Sequence, residues 1–200
     1  MTPSRTARRS EALRARIVET ACELVAEAGV SGLTIEGVAA RADVAVQTVY
    51  NRVGGRHDLL VAVAEQALAA NRIHMDAAYA APGTPTRRIE TAAAAYTRFA
   101  VDNPHQFRLL AEPPAEPGVR HRIQALVAEQ NAKLAGAIAD GIADGSIRPT
   151  LDPHRAATVL WAMMNGLLAQ HITAVGDRPS DPDALLAVAL DILRHGLEQP

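Results

Sequence analysis

Residues 33–60 read LTIEGVAARADVAVQTVYNRVGGRHDLL. Thr34 can cap a short helix over Ile35–Arg41, its side-chain oxygen accepting from an amide that the first turn leaves free. Asp43 and Val44 make a tight turn, and Asp tolerates the left-handed backbone such a turn needs. A second short helix runs over Val46–Arg52, Gly54 and Gly55 break it, and Arg56 opens a long helix reaching about Tyr79. Two short helices joined by a short turn pack steeply only if their contact residues are small or aliphatic. Val38, Ala39 and Ala42 provide that surface on the first helix, and Val44 and Val49 face it. Gln47, Thr48, Asn51 and Arg52 are left pointing outward, with side chains able to read base edges or hold phosphates in a major groove. The same pattern fits an ordinary helical hairpin with a polar outer face.

Before this segment, Leu13, Ile17, Ala21, Leu24, Val25 and Ala28 recur at the spacing of one helical face, and Gly29 stops the run. A helix is predicted over about Glu11–Ala28, with residues 1–10 as a flexible basic arm. After the segment, further helices are predicted over about Thr86–Asp102, His105–Ala111 and Gly118–Ala143. Val119, Ile123, Leu126, Val127, Gln130, Leu134, Ala137, Ile138 and Ile142 line one side of the last of these. Asp152-Pro153 and Asp181-Pro182 each supply a cap followed by proline at the first helical position, and open helices to about Val175 and Leu197. Hydrophobic residues make up 48% of the 200 and aromatics only 3%, with Ala, Leu and Val prominent, a bias towards helix over strand. The expected fold is all-α, with about nine helices.

Net charge is -2, so the chain is not a basic polyelectrolyte. Its distribution is uneven: Arg5, Arg8, Arg9, Arg14 and Arg16 face one acid, Glu11, in the first 16 residues, whereas residues 73–200 carry 11 basic and 14 acidic side chains. A basic end suits a polyanion, and it equally suits a solvated tail. With Cys22 as the one cysteine, an intrachain disulfide and a multi-cysteine metal site are both excluded, and its place beside Val18 and Val25 suggests a buried, inert thiol. No apolar run approaches the roughly 20 residues that span a bilayer, and no apolar signal core follows the arginines, so a cytoplasmic protein is expected, without membrane partners. The seven histidines are scattered, with no HExxH array, phosphate loop or serine elbow. Neither an enzyme, a metal site nor a cofactor is expected.

The stretch from the first helix to the start of the fourth resembles the DNA-binding domain of the TetR family of transcriptional regulators. Gly29, Leu33, Thr34, Val38, Ala39, Ala42, Val44, Thr48, Val49, Tyr50, Val53, Arg56, Leu59 and Leu60 stand in register with the family pattern, over about residues 12–65. Asp43 replaces the usual turn glycine, and Ala45 stands where a Ser or Thr often caps the recognition helix, a loss of about 1 kcal/mol. The resemblance implies a three-helix helix-turn-helix domain over residues 11–55 and a ligand-binding and dimerisation domain over 56–200. It implies that Tyr50 and Arg56 hold phosphates, and that Gln47, Thr48, Asn51 and Arg52 lie in or beside the groove. Gln47 is the best candidate for a base-edge contact, since a carboxamide can pair bidentately with adenine.

Residues 93–110 and WAMMNG, residues 161–166, resemble a subgroup with a Trp-x-x-x-His-Gly element, Asn165 replacing the histidine. Val159, Leu160, Met163, Leu167, Leu168 and Ile172 on one helix, with Leu185, Leu186, Ala189, Ile192 and Leu193 on the next, give apolar faces suited to a four-helix homodimer interface. The same faces could instead be buried within a monomer. Tyr96, Phe99, Phe107, Trp161, Met164 and Asn165 are the candidate ligand contacts, most of them equally suited to a core. The implied function is a repressor that binds near-palindromic operator DNA as a homodimer and is released by a small, mostly apolar effector. The alternative is a small-molecule-binding helical protein of this fold without repressor activity.

Overall fold

The computed structural model describes residues 4–173 and 182–197, without the side chains of residues 117, 172, 173, 182, 183, 193, 194, 196 and 197. Among the described residues there are nine α-helices, one short 3-10 turn at Val30–Gly32, and no strand. The helices are α1 (Arg5–Ala28), α2 (Ile35–Arg41), α3 (Val46–Arg52), α4 (Arg56–Ala80), α5 (Pro85–Asp102), α6 (Pro104–Ala111), α7 (Pro117–Ala143), α8 (Pro153–Thr173) and α9 (Pro182–Leu197).

The largest departure from the sequence pattern is at the N-terminus. Residues 5–10 are helical, so α1 begins six residues before the expected Glu11. Ser4 is its cap, with the hydroxyl oxygen accepting from the Ala7 amide at 3.1 Å, and the Arg- and Ala-rich turns that follow are good helix formers. Elsewhere the starts move by a residue. Pro85, Pro104 and Pro117 are the first helical residues where the pattern placed Thr86, His105 and Gly118. Proline fits there because the first helical amide has no partner within the helix. Asp152 caps α8 as expected, accepting from the Arg155 amide at 2.8 Å. The expected extension of α8 to Val175, and the Asp181 cap of α9, lie outside the described residues.

Two compact units divide the chain. The first holds residues 1–68 and 105–124, the second residues 69–104 and 125–200, so α4 and α7 contribute residues to both. In the first unit α1, α2 and α3 pack on one another, and Ile17, Ala21, Val25, Leu33, Val38 and Val49 are sealed from solvent. Phe107, Leu109, Leu110, Val119 and Ile123, from the later segment of the same unit, are buried as well. In the second unit α5 packs on α8 and α9, around a core that includes Ile89, Ile138, Ile147 and Leu160. Of the predicted α7 stripe, Val119, Ile123, Ala137 and Ile138 are buried and the others half-buried. Cys22 is half-buried; burial, reinforced by Glu19 and Glu23, pushes its thiol up to about 11, so it is protonated and unreactive at neutral pH.

Candidate nucleic-acid interface and ligand cleft

The expected caps and turns around α3 are present. Thr34 Oγ1 accepts from the Gly37 amide at 3.0 Å, Asp43 adopts a left-handed φ of 51°, and Ala45 leaves α3 without a side-chain cap. Arg16 reinforces the turn from α1, donating from Nη2 to the Ala42 carbonyl at 2.8 Å. After α3, Gly54 has a φ of 116°, and a Cβ there would collide with the Asp58 carboxylate. That carboxylate accepts from the Gly55 amide at 2.8 Å, capping α4. The turn therefore requires glycine, and α3 and α4 are fixed relative to each other by the side chain it makes room for.

Val49 anchors α3 from within, fully buried. The opposite side of this two-turn helix carries Gln47, Tyr50, Asn51 and Arg52, all exposed, with Thr48 half-buried. Gln47 Nε2 donates to Asn51 Oδ1 at 3.1 Å, one helical turn away, which holds the two carboxamides as a pair. Arg52 Nη1 donates to Ser10 Oγ at 2.7 Å, tying the end of α3 to the N-terminal turns of α1 and their arginines. Val46 and Tyr50 are exposed beside them, at 39% and 49%.

Arg56 opens α4 as expected, and its guanidinium has partners within the chain that the sequence pattern did not give. Its Nε donates to the Leu33 carbonyl at 3.0 Å, its Nη2 to the Val30 carbonyl at 2.9 Å, and its Nη1 pairs with Glu116 Oε1 at 3.2 Å. The guanidinium, with its side chain 37% exposed, ties the loop after α1 to the residue before α7. Glu116 has no motif to announce it, and its distance of 60 positions along the chain hides the pair from any local pattern. A second ion pair of this unit, Arg122 with Glu65 at 3.2 Å, has the same long-range character.

The candidate ligand residues divide. Phe107 is fully buried and belongs to the first unit, whereas the other five belong to the second. It is a core side chain there, and its aromatic type carried no information about which core it would fill. In the second unit, Trp161 hydrogen-bonds the Tyr96 hydroxyl, and Tyr96 Oη donates to Asn165 Oδ1 at 2.7 Å. Because an indole N–H can only donate, the donors run in one direction along this chain. Burial pushes the Tyr96 phenol well above its ordinary range. Phe99 stacks beside Tyr96 at a centroid distance of 6.4 Å. Asn165, 9% exposed, has its Nδ2 buried without a partner among the described residues. Met164 lines a gap of about 10 Å³ with Thr97, Leu167 and Leu186, room for a water and no more.

A larger space lies elsewhere in the second unit. A cleft of about 520 Å³ runs between α4 and α5, and of the six candidates only Phe99 lines it. Asn71, His74, Arg98 and Asp102 are the polar residues around it that the sequence pattern did not single out. Among the described residues no group of three or more His, Cys, Asp or Glu could hold a metal ion, and no helix is long and apolar enough to cross a membrane.

Two family profiles match the chain: that of bacterial regulatory proteins of the tetR family over residues 17–63, and that of the tetracyclin repressor-like C-terminal domain over residues 89–193. The chain belongs to the TetR family of transcriptional regulators, with a DNA-binding helix-turn-helix followed by a ligand-binding domain. Among curated proteins, none matches by sequence. Solved structures of the same fold include the Bacillus subtilis regulator FadR in complex with stearoyl-CoA, 18% identical with a TM-score of 0.80, the match covering 92% of this chain and 98% of that one. A regulator from Saccharomonospora viridis in complex with choline is 21% identical, with a TM-score of 0.76 and coverage of 96% and 100%. One from a Rhodococcus species is 22% identical, with a TM-score of 0.74 and coverage of 91% and 98%. At these identities the likeness is one of fold.

Proposed function

We propose that this protein is a homodimeric, ligand-responsive repressor that acts in the cytoplasm, binds near-palindromic operator DNA, and is released by a small, mostly apolar effector. Residues 11–55 form its DNA-binding domain and residues 56–200 its ligand-binding and dimerisation domain. The observation that carries this reading is the outer face of α3, where Gln47, Asn51 and Arg52 are exposed together above a fully buried Val49. Gln47 and Asn51 read base edges, Thr48, Tyr50 and Arg52 hold the backbone, and Arg56 acts through the lock it forms on the loop after α1.

Exposed apolar residues support the second copy. Val159 and Met163 on α8 are 55% and 41% exposed, and Val188 and Ile192 on α9 are 59% and 60% exposed. Val159, Met163 and Ile192 line one shallow depression, so three of these four form a continuous patch. Leu160, Leu168, Leu186 and Ala189, from the same two predicted faces, are buried within the chain, while the side chains of Ile172 and Leu193 lie outside the described residues. The dimer face is thus the outward half of the predicted one, with Val188 added. For induction, the effector must favour the DNA-incompetent state, since equal affinity for both states shifts nothing. α4 supplies residues to both units and is the natural carrier of that coupling.

Selection from a random duplex library, followed by fluorescence anisotropy, tests the reading. Enriched inverted repeats bound by a protein dimer are the expected result. A failure to enrich any sequence would leave the alternative, a ligand-binding protein of this fold without repressor activity.

A further inference from the structure

The two helices that flank the large cleft of the second unit meet it with methyl groups. Ala70, Ala77 and Ala78 line it from α4, Ala81 from just beyond its end, and Ala94 and Ala95 from α5. A seam between two helices normally closes by interdigitation of long side chains, and here alanines leave it open. The resulting volume, about 520 Å³, is that of a small-molecule site.

Of the polar groups around these alanines, Asn71 is buried, and His74, Arg98 and Asp102 are exposed at the mouth. Asn71 is only 2% exposed, and its Oδ1 is buried with no hydrogen-bond partner among the described residues. A buried carbonyl oxygen without a donor is costly, so this one is set to accept from something that enters. Arg98 makes no ion pair among the described residues, whereas Arg72, Arg88 and Lys133 of the same unit pair with Glu129, Asp140 and Asp76. Asp102, one turn beyond Arg98, is likewise unpaired there, although its spacing would allow a pair. Asn103 is committed, its Nδ2 donating to the Phe99 carbonyl at 3.2 Å, and the Phe99 ring gives the cleft an apolar wall.

We propose that this cleft binds a small amphipathic acid that carries a hydroxyl. The carboxylate sits on the Arg98 guanidinium, with His74 as a neighbouring donor. The hydroxyl donates to Asn71 Oδ1, and the hydrocarbon lies along Phe99 and the alanines. Asp102 limits the ligand to one acidic group, because a second would meet its carboxylate. The proposal rests on the reading of residues 56–200 as the ligand-binding domain and narrows the effector from mostly apolar to amphipathic.

Calorimetry on the full chain without DNA tests it, with 3-hydroxyoctanoate as the probe. One saturable site per chain is expected. Octanoate, which lacks the hydroxyl, and 1,3-octanediol, which lacks the charge, should each bind several-fold more weakly. Arg98→Met, which keeps the length and removes the charge, should weaken the hydroxy acid at least tenfold. Ala94→Leu should abolish binding by filling the cleft, with an unchanged circular dichroism spectrum and melting temperature showing that the fold is kept. No saturable binding to the wild type, or equal binding to both variants, would overturn the proposal. Operator binding is measured separately on the ligand-free proteins. Both variants should bind the selected duplex like the wild type, and failure of the wild type to bind any duplex would count against the repressor reading alone.

Discussion

The outer face of α3 and the cleft between α4 and α5 both present polar side chains from short stretches of helix, in opposite ways. On α3 the polar side chains are already organised: Gln47 holds Asn51, and Arg52 holds Ser10. In the cleft Asn71 Oδ1 is unsatisfied and Arg98 is unpaired among the described residues. The first surface is prepared for a partner whose shape hardly varies, the DNA groove. The second is an incomplete set of hydrogen bonds that a small molecule would finish. Preorganisation favours affinity for a fixed target, and unspent polarity favours discrimination among molecules that differ by one group.

The largest expected effect is on assembly, which both surfaces need. Ile192→Arg places a charge on a residue 60% exposed in the single chain, so the subunit should still fold. At a dimer interface that charge would be buried and unpaired, at a cost of about 3–5 kcal/mol. Light scattering should show a monomer, and anisotropy an operator affinity reduced by at least a hundredfold. A folded variant that stays dimeric would move the interface off this patch.

Arg56→Ala comes next and separates a lock from a phosphate contact. Loss of charged hydrogen bonds to two carbonyls and to Glu116 should cost about 1.5–3 kcal/mol and lower the melting temperature by roughly 3–12 °C. The salt dependence of DNA binding should keep its slope. A slope lower by about one charge with an unchanged melting temperature would mean that the guanidinium leaves its internal partners for DNA.

The smallest effect should come from Gln47→Ala, about 1–3 kcal/mol confined to one base pair per half-site. Binding to each single-base operator variant measures it directly. A uniform loss across all variants would show that Gln47 positions the helix and does not read sequence.

The first unit was legible where its contacts are local. Thr34 to Gly37, the Asp43 turn and the Gly54-Gly55 break span a few residues each, and α2 and α3 fall on the residues read from the sequence. The α1 start was missed because its cap, Ser4, precedes the apolar stripe that signals the helix. Arg56 stands where the pattern put it, while its partners within the chain, Val30, Leu33 and Glu116, were hidden because they meet it only through folding. In the second unit, aromatic residues pointed to ligand contacts, yet Trp161, Tyr96 and Asn165 largely satisfy one another. The cleft itself is written in alanines, and a residue that leaves room reads in sequence like any other helix former.

The first unit is also not a continuous stretch of chain. Residues 105–124 complete it, bringing the fully buried Phe107 and Ile123 and the carboxylate that Arg56 holds. This bears on modular engineering. A chimera that grafts only the first 55 or 68 residues onto another sensor would keep the reading helix and discard the apolar cover and the Glu116 clasp. A transplant able to stand in a new host would carry both pieces, or would need a host whose own α6 and early α7 supply matching side chains.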